Sequence, residues 1–215
     1  LLVFSSTAAA VFGVYFKMQS FIFMPVFGLN SGLVPIVAYN YGARKKDRML
    51  QAVKLAMCYA VGIMLTGFLI FQFAPGLLLK LYNATPEMLA IGIVALRTIS
   101  WSFLFAGICI IMGTVFQALG KGLYSLINST VRQLVVLLPS AYLLSLTGNL
   151  DLVWLAFPIS EVASLLVSVV LFQKVKREII DRIEPQDDAL NKTQQAGEAK
   201  EEERFDQLAK AQAGE

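Results

Sequence analysis

The chain has 215 residues, 57% apolar and 15% charged, with Lys+Arg 18 against Asp+Glu 15. Soluble domains average about 45–50% apolar and about 25% charged, and here residues 1–173 carry only 14 charged side chains, which excludes an ordinary two-layer soluble fold. With no histidine and only Cys58 and Cys109 as cysteines, imidazole bases, His/Cys metal sites and a disulfide framework are excluded as well.

A membrane helix needs about 20 apolar residues to cross a hydrocarbon core ~30 Å thick. Five runs meet that length, at about 18–40, 49–74, 88–116, 124–146 and 151–173. A sixth, about 1–16, is apolar but short, and reads as a truncated first helix. The predicted fold class is all-α, a polytopic bundle of six transmembrane helices over residues 1–177. Turn chemistry separates the runs: Gly42 before a basic cluster, Pro75-Gly76, Asn83 to Pro86, Gly120-Lys121-Gly122 and Gly148-Asn149.

Positive charge orients the bundle. Arg44, Lys45, Lys46, Arg48, Lys121, Lys174, Lys176 and Arg177 fall on one side, against Lys17 and Lys80 on the other. The basic side is predicted to be cytoplasmic, making this an integral protein of the cell membrane with the lipid bilayer as its first partner. Residues 178–215 form a charged cytoplasmic tail, disordered or partly helical; from Glu184 onward it has nine acidic and four basic residues. The charge pattern suits anionic lipid heads and offers nothing to nucleic acid.

Prolines interrupt the apolar runs: Pro25 and Pro35 in the second, Pro139 in the fifth, Pro158 in the sixth. Each removes a backbone donor, and such breaks mark hinges and binding sites in transporters. Gly28 and Gly32 form a small-xxx-small pair suited to close helix approach. Asn30 between them points about 200° away from that face, toward a cavity or a neighbouring helix.

Three ionisable residues fall within the spans. Counted at ~1.5 Å per residue, Arg97, Arg132 and Glu161 all land near mid-membrane, where an unpaired charge costs at least ~2.5–3.5 kcal/mol. Glu161 is therefore expected to pair with one of the arginines, with Gln117, Gln133 and Asn128 as polar neighbours. The pair either fixes helix register or lies on a substrate or ion pathway.

The segment FMPVFGLNSGLVPIVAYNYGARKKDRM resembles the multidrug and toxic-compound extrusion (MATE) transporters, in their carboxy-terminal half. There a proline-containing span ends in an aromatic-Asn-Tyr-Gly-Ala turn before a basic loop. FQALGKGLYSLINSTVRQLVVLLPSAYLL at 116–144 is similar to the same family. The resemblance implies one lobe of a twelve-helix antiporter, with the amino-terminal lobe missing from this sequence. Such a transporter exports small organic cations of amphipathic character in exchange for Na⁺ or H⁺ by alternating access, with no other cofactor. Family members carry acidic residues in the first and fourth spans of this lobe; here those spans have none and the fourth has Arg97 instead, so the ion site is expected in the absent lobe or at Glu161. Tyr39 and Asn40 match the motif as a structural corner. Phe103, Phe105, Met112 and Phe116 are expected to line the cavity. Alternatives are a lipid-linked oligosaccharide flippase of the same superfamily and a truncated, inactive membrane fragment; a membrane enzyme lacks a convergent acid/base set.

Overall fold

A computed structural model describes residues 6–183, all helix and turn, with no strand among them. The chain runs through α1 (Ser6–Gly42), α2 (Lys46–Phe73), the short α3 (Pro75–Lys80), α4 (Pro86–Ser100) and α5 (Phe103–Ala118). It continues through α6 (Gly122–Thr130), a π-helical stretch (Val131–Leu137), α7 (Leu138–Ser145), α8 (Leu150–Val153), α9 (Ala156–Glu178) and a 3₁₀ turn (Ile180–Arg182). Residues 1–5 of the expected first span and 184–215 of the expected tail lie outside the described residues.

The runs read as separate spans at 1–16 and 18–40 are joined. Helix α1 continues through Lys17 for 37 residues, about 55 Å at 1.5 Å per residue. Lys17 is exposed on its surface and can lie along the helix with its ammonium in a polar layer, so one charge makes no connection. By length and apolarity, α1, α2 and the run Leu150–Arg182 can each cross a membrane, and α4 with α5 makes a fourth as a bent pair. The stretch from Gly122 to Ser145 is also helical throughout but changes its winding midway. The expected count of six separate spans is therefore not found among the described residues.

Burial follows the membrane pattern. Phe16, Phe21, Met24, Phe73, Leu166 and Val170 are among many exposed large apolar side chains, while Ser100, Ser160, Ser164 and Ser168 are buried. Helix α1 packs on α2, α4 and α5, α2 packs on α5, and α9 lies against α5 and the π stretch. Phe71, Phe103, Tyr15 and Phe157 connect these helices through edge-on ring contacts.

Gly28 and Gly32 pack against nothing: both are exposed, and a Cβ at either would meet no atom within 4 Å. Close approach occurs instead at Gly107, where a Cβ would stand 3.3 Å from the Ala60 carbonyl oxygen of α2.

The expected fourth span bends by 47° between α4 and α5. No proline causes this. The Ser100 hydroxyl donates to the Arg97 carbonyl at 2.9 Å and the Ser102 hydroxyl to the Ile99 carbonyl at 2.7 Å. Such back-bonding competes with the helical ladder and bends it. Gln72 of α2 donates to the Arg97 carbonyl at 2.9 Å, while Arg97 Nε donates back to the Gln72 carbonyl at 3.2 Å. Trp101, at the bend, is 52% exposed and sits edge-on to Phe68.

Pro25 and Pro35 lie inside α1 without ending it, so the expected breaks are absent at both. Pro139 enters the second position of α7, directly after the π stretch. Lacking an N–H, it cannot donate to Val135 four residues back, and the preceding turns widen. Pro158 lies in the first turn of α9 and leaves the Trp154 carbonyl to Phe157 N, three residues on, at 3.4 Å. The turn between α8 and α9 sits at that point.

The α1–α2 corner is closed by Ala43 N donating to Tyr39 O and Lys45 N to Asn40 O, both at 2.9 Å. Asn40 Nδ2 donates to Ile36 O, so Tyr39 and Asn40 form the expected structural corner. Arg44 takes the left-handed conformation there, φ 54, at a cost of roughly 1–2 kcal/mol that glycine would avoid.

Candidate functional site

A cavity of about 740 Å³ is lined by α1, α5, α7, α8, α9, the π stretch and the α4–α5 bend. Its wall is aromatic, with Phe12, Tyr15, Phe23, Phe27, Trp154 and Phe157 among the lining side chains. The spacing of residues 12, 16, 19, 23 and 27 along α1 places them on one helical face. Trp154 is fully buried, and its indole N–H has no hydrogen-bond partner among the described residues.

The lining holds one positive and one negative side chain, and they meet: Arg132 Nη1 donates to Glu161 Oε1 at 3.2 Å. Arg132 comes from the π stretch and Glu161 from the second turn of α9, after the Pro158 turn. The two side chains are unequally covered, 28% exposed for Arg132 and 8% for Glu161. The cation is therefore the part of the pair that an occupant of the cavity reaches more readily.

A second cavity, about 290 Å³, lies between α1, α5 and α6 and has a polar wall. Asn30, Thr114, Gln117, Ser125 and Asn128 line it, and Arg132 lines both cavities. Gln117 Nε2 donates to Ser125 Oγ at 3.0 Å, and Ser164 Oγ donates to Asn128 Oδ1 at 3.2 Å. Asn30 Oδ1 is buried without a hydrogen-bond partner among the described residues. Gln133 lines the aromatic cavity and not this one.

The aromatic cavity and its ion pair are thus built by helices of high apolarity, and residues 2–143 match the MatE family. The chain belongs to the MATE family. Membership makes it an integral membrane protein and a transporter component, not an enzyme.

Over 183 residues this MATE chain is 24% identical to the multidrug export protein MepA of Staphylococcus haemolyticus, covering 85% of the chain and 40% of that protein. It is 25% identical over 169 residues to the FAD transporter of Shewanella oneidensis, covering 79% of the chain and 37% of that protein. The solved structure of the MATE multidrug transporter DinF-BH superposes with a TM-score of 0.72 at 32% identity, covering 79% of this chain and 38% of that one. The chain thus spans about 40% of the length of relatives such as MepA.

Of the residues expected on a pathway, Glu161, Arg132 and Gln133 meet at the aromatic cavity, and Asn30 and Gln117 at the polar one. Arg97 lines neither and instead braces the α4–α5 bend against Gln72. The expected lining Phe103, Phe105, Met112 and Phe116 is also absent from both cavities; Phe103 and Phe116 are fully buried in the core. The aromatic wall comes instead from Phe12, Tyr15, Phe23, Trp154 and Phe157, none of which was expected to line it. The i, i+4 and i+3 recurrence of aromatics from Phe12 to Phe27 was the available signal.

Proposed function

We propose that this chain is the carboxy-terminal lobe of a multidrug efflux antiporter of the cell membrane, exporting small cationic amphipathic compounds in exchange for Na⁺ or H⁺ by alternating access. The carrying observation is the aromatic cavity of about 740 Å³ with the Arg132–Glu161 pair in its wall. That volume is in the range of drug-sized sites, and aromatic faces attract organic cations without demanding one shape. Arg132 competes with any entering cation for Glu161. A coupling ion or cargo that takes the carboxylate releases the guanidinium, so occupancy favours a different helix arrangement. The amino-terminal lobe supplies the opposite wall and the remaining ion ligands. Pro139 and Pro158, at the two changes in helical winding, act as hinges. The basic loops and the tail face the cytoplasm.

Proteoliposomes preloaded with a fluorescent organic cation test this reading, with Na⁺ and pH varied separately. The chain alone is expected to be silent, and the chain assembled with the amino-terminal half of a MATE relative to transport. Glu161→Gln in that assembly is expected to reduce efflux at least 10-fold. Sustained efflux by the chain alone, or unchanged efflux with Glu161→Gln, overturns it.

A second reading, an anionic amphipathic cargo, is favoured by the greater exposure of Arg132 than of Glu161, and one relative is named an FAD transporter. Here Arg132→Gln abolishes transport of an anionic dye, whereas the cation reading leaves cationic-dye transport dependent on Glu161.

A further inference from the structure

A third cavity, about 400 Å³, opens where the α1–α2 corner meets the end of α9, at the far ends of α1 and α9 from the residues that line the aromatic site. Its wall is formed by Tyr41, Gly42, Arg44, Glu178, Ile179, Arg182 and Ile183. The two sides are tied by an ion pair between Lys46 and Asp181, 2.9 Å, which joins residues 135 positions apart. Arg44 and Arg182 thus face one basin from the α1–α2 corner and from the end of the described chain. Among the described residues neither guanidinium forms an ion pair, and Glu178, on the same wall, is in none either. Lys45, Arg48, Lys176 and Arg177 lie in the flanking sequence.

The backbone supplies a separate indication. Arg44 holds φ 54, where glycine would close the same corner without strain. A strained residue that also presents an unpaired guanidinium to a basin points to a function at that basin. Guanidinium forks match phosphate oxygens in shape as well as charge. The phenol of Tyr41 adds a hydroxyl donor, and Ile179 and Ile183 add an apolar floor. The corner sits at the end of two helices long and apolar enough to cross a membrane, and basic pockets between such helices hold anionic head groups.

We propose that this basin binds the phosphate head group of an anionic phospholipid, with Arg44 and Arg182 clamping the phosphate and Lys46–Asp181 holding the two walls together. Glu178 limits affinity by repelling the same phosphate. The site stands apart from the cargo path and does not depend on any transport reading.

Native mass spectrometry of the purified 215-residue chain in detergent, with phosphatidylglycerol or phosphatidylcholine added, tests it. The expected result is at least a 10-fold preference for phosphatidylglycerol. Arg182→Gln and Arg44→Gly should each cut that preference to less than a third, and Glu178→Gln should raise it. Arg44→Gly relieves the left-handed strain, so its unfolding midpoint should be unchanged or higher, which separates lost binding from lost folding. An equal retention of both lipids, or a preference untouched by Arg44→Gly and Arg182→Gln together, overturns the proposal. So does binding of inorganic phosphate at millimolar concentration without retention of phosphatidylglycerol, which would assign the basin to a free anion.

Discussion

Replacing Arg132 by methionine keeps most of the side-chain volume and strands Glu161, whose side chain is 8% exposed. Removing one partner of a buried pair costs about 3–5 kcal/mol. The aromatic cavity beside the pair admits water, so the low end applies, about 3 kcal/mol, or roughly 140-fold in the folding equilibrium. The reverse change, Glu161→Gln, leaves Arg132 at 28% exposure with access to that water, and should cost about 1 kcal/mol. The double variant strands no charge and should lie near Glu161→Gln alone, giving a coupling of about 2–3 kcal/mol. Reversible unfolding in mixed micelles, followed by far-ultraviolet circular dichroism, measures all three. Equal single costs, or a double variant equal to their sum, would refute the unequal burial argument.

Gly107→Ala should destabilise by about 1–3 kcal/mol, because its methyl meets the Ala60 carbonyl, a backbone atom that cannot swing aside; Gly28→Ala, with open space around it, should be neutral or stabilising by up to about 1 kcal/mol in the same assay. The Lys46–Asp181 pair is partly open to solvent on both sides, so its hold should fade with salt. Amide exchange at the α1–α2 corner should be faster in Lys46→Gln than in the parent at low ionic strength, with the difference gone near ~1 M salt, where screening acts within about 3 Å; identical exchange at low salt would refute the tie. The only two tryptophans differ in setting, Trp101 being 52% exposed and Trp154 buried. Brominated lipid should therefore quench Trp101, while an aromatic occupant of the large cavity should quench Trp154, read by comparing Trp101→Phe with Trp154→Phe.

The connections after Gly42, at Pro75, at Asn83 to Pro86, at Gly120 and at Gly148 were legible because turn residues act locally. Lys17 misled, since a single charge inside an apolar stretch looks like a loop until the helix around it is seen to be continuous. The Arg132–Glu161 pair could be anticipated from depth, because two opposite charges at one level in a membrane have few alternatives to each other. Arg97 was expected at a similar depth, but its guanidinium found the Gln72 carbonyl of α2 beside a bend produced by two serines, which no charge count reveals. The cavity wall was misassigned for a related reason: composition identifies an aromatic-rich helix but not which way it is rotated, so Phe103 and Phe116 were expected where Phe12 and Trp154 stand.

The widened winding from Val131 to Leu137 has a mechanical corollary. A turn closed over five residues stores one residue more than a turn closed over four, so this stretch can surrender or absorb a single residue without unravelling either end. One residue corresponds to about 100° of rotation. A local tightening would therefore rotate Arg132, which borders the polar chamber as well, relative to Glu161, its partner at 3.2 Å.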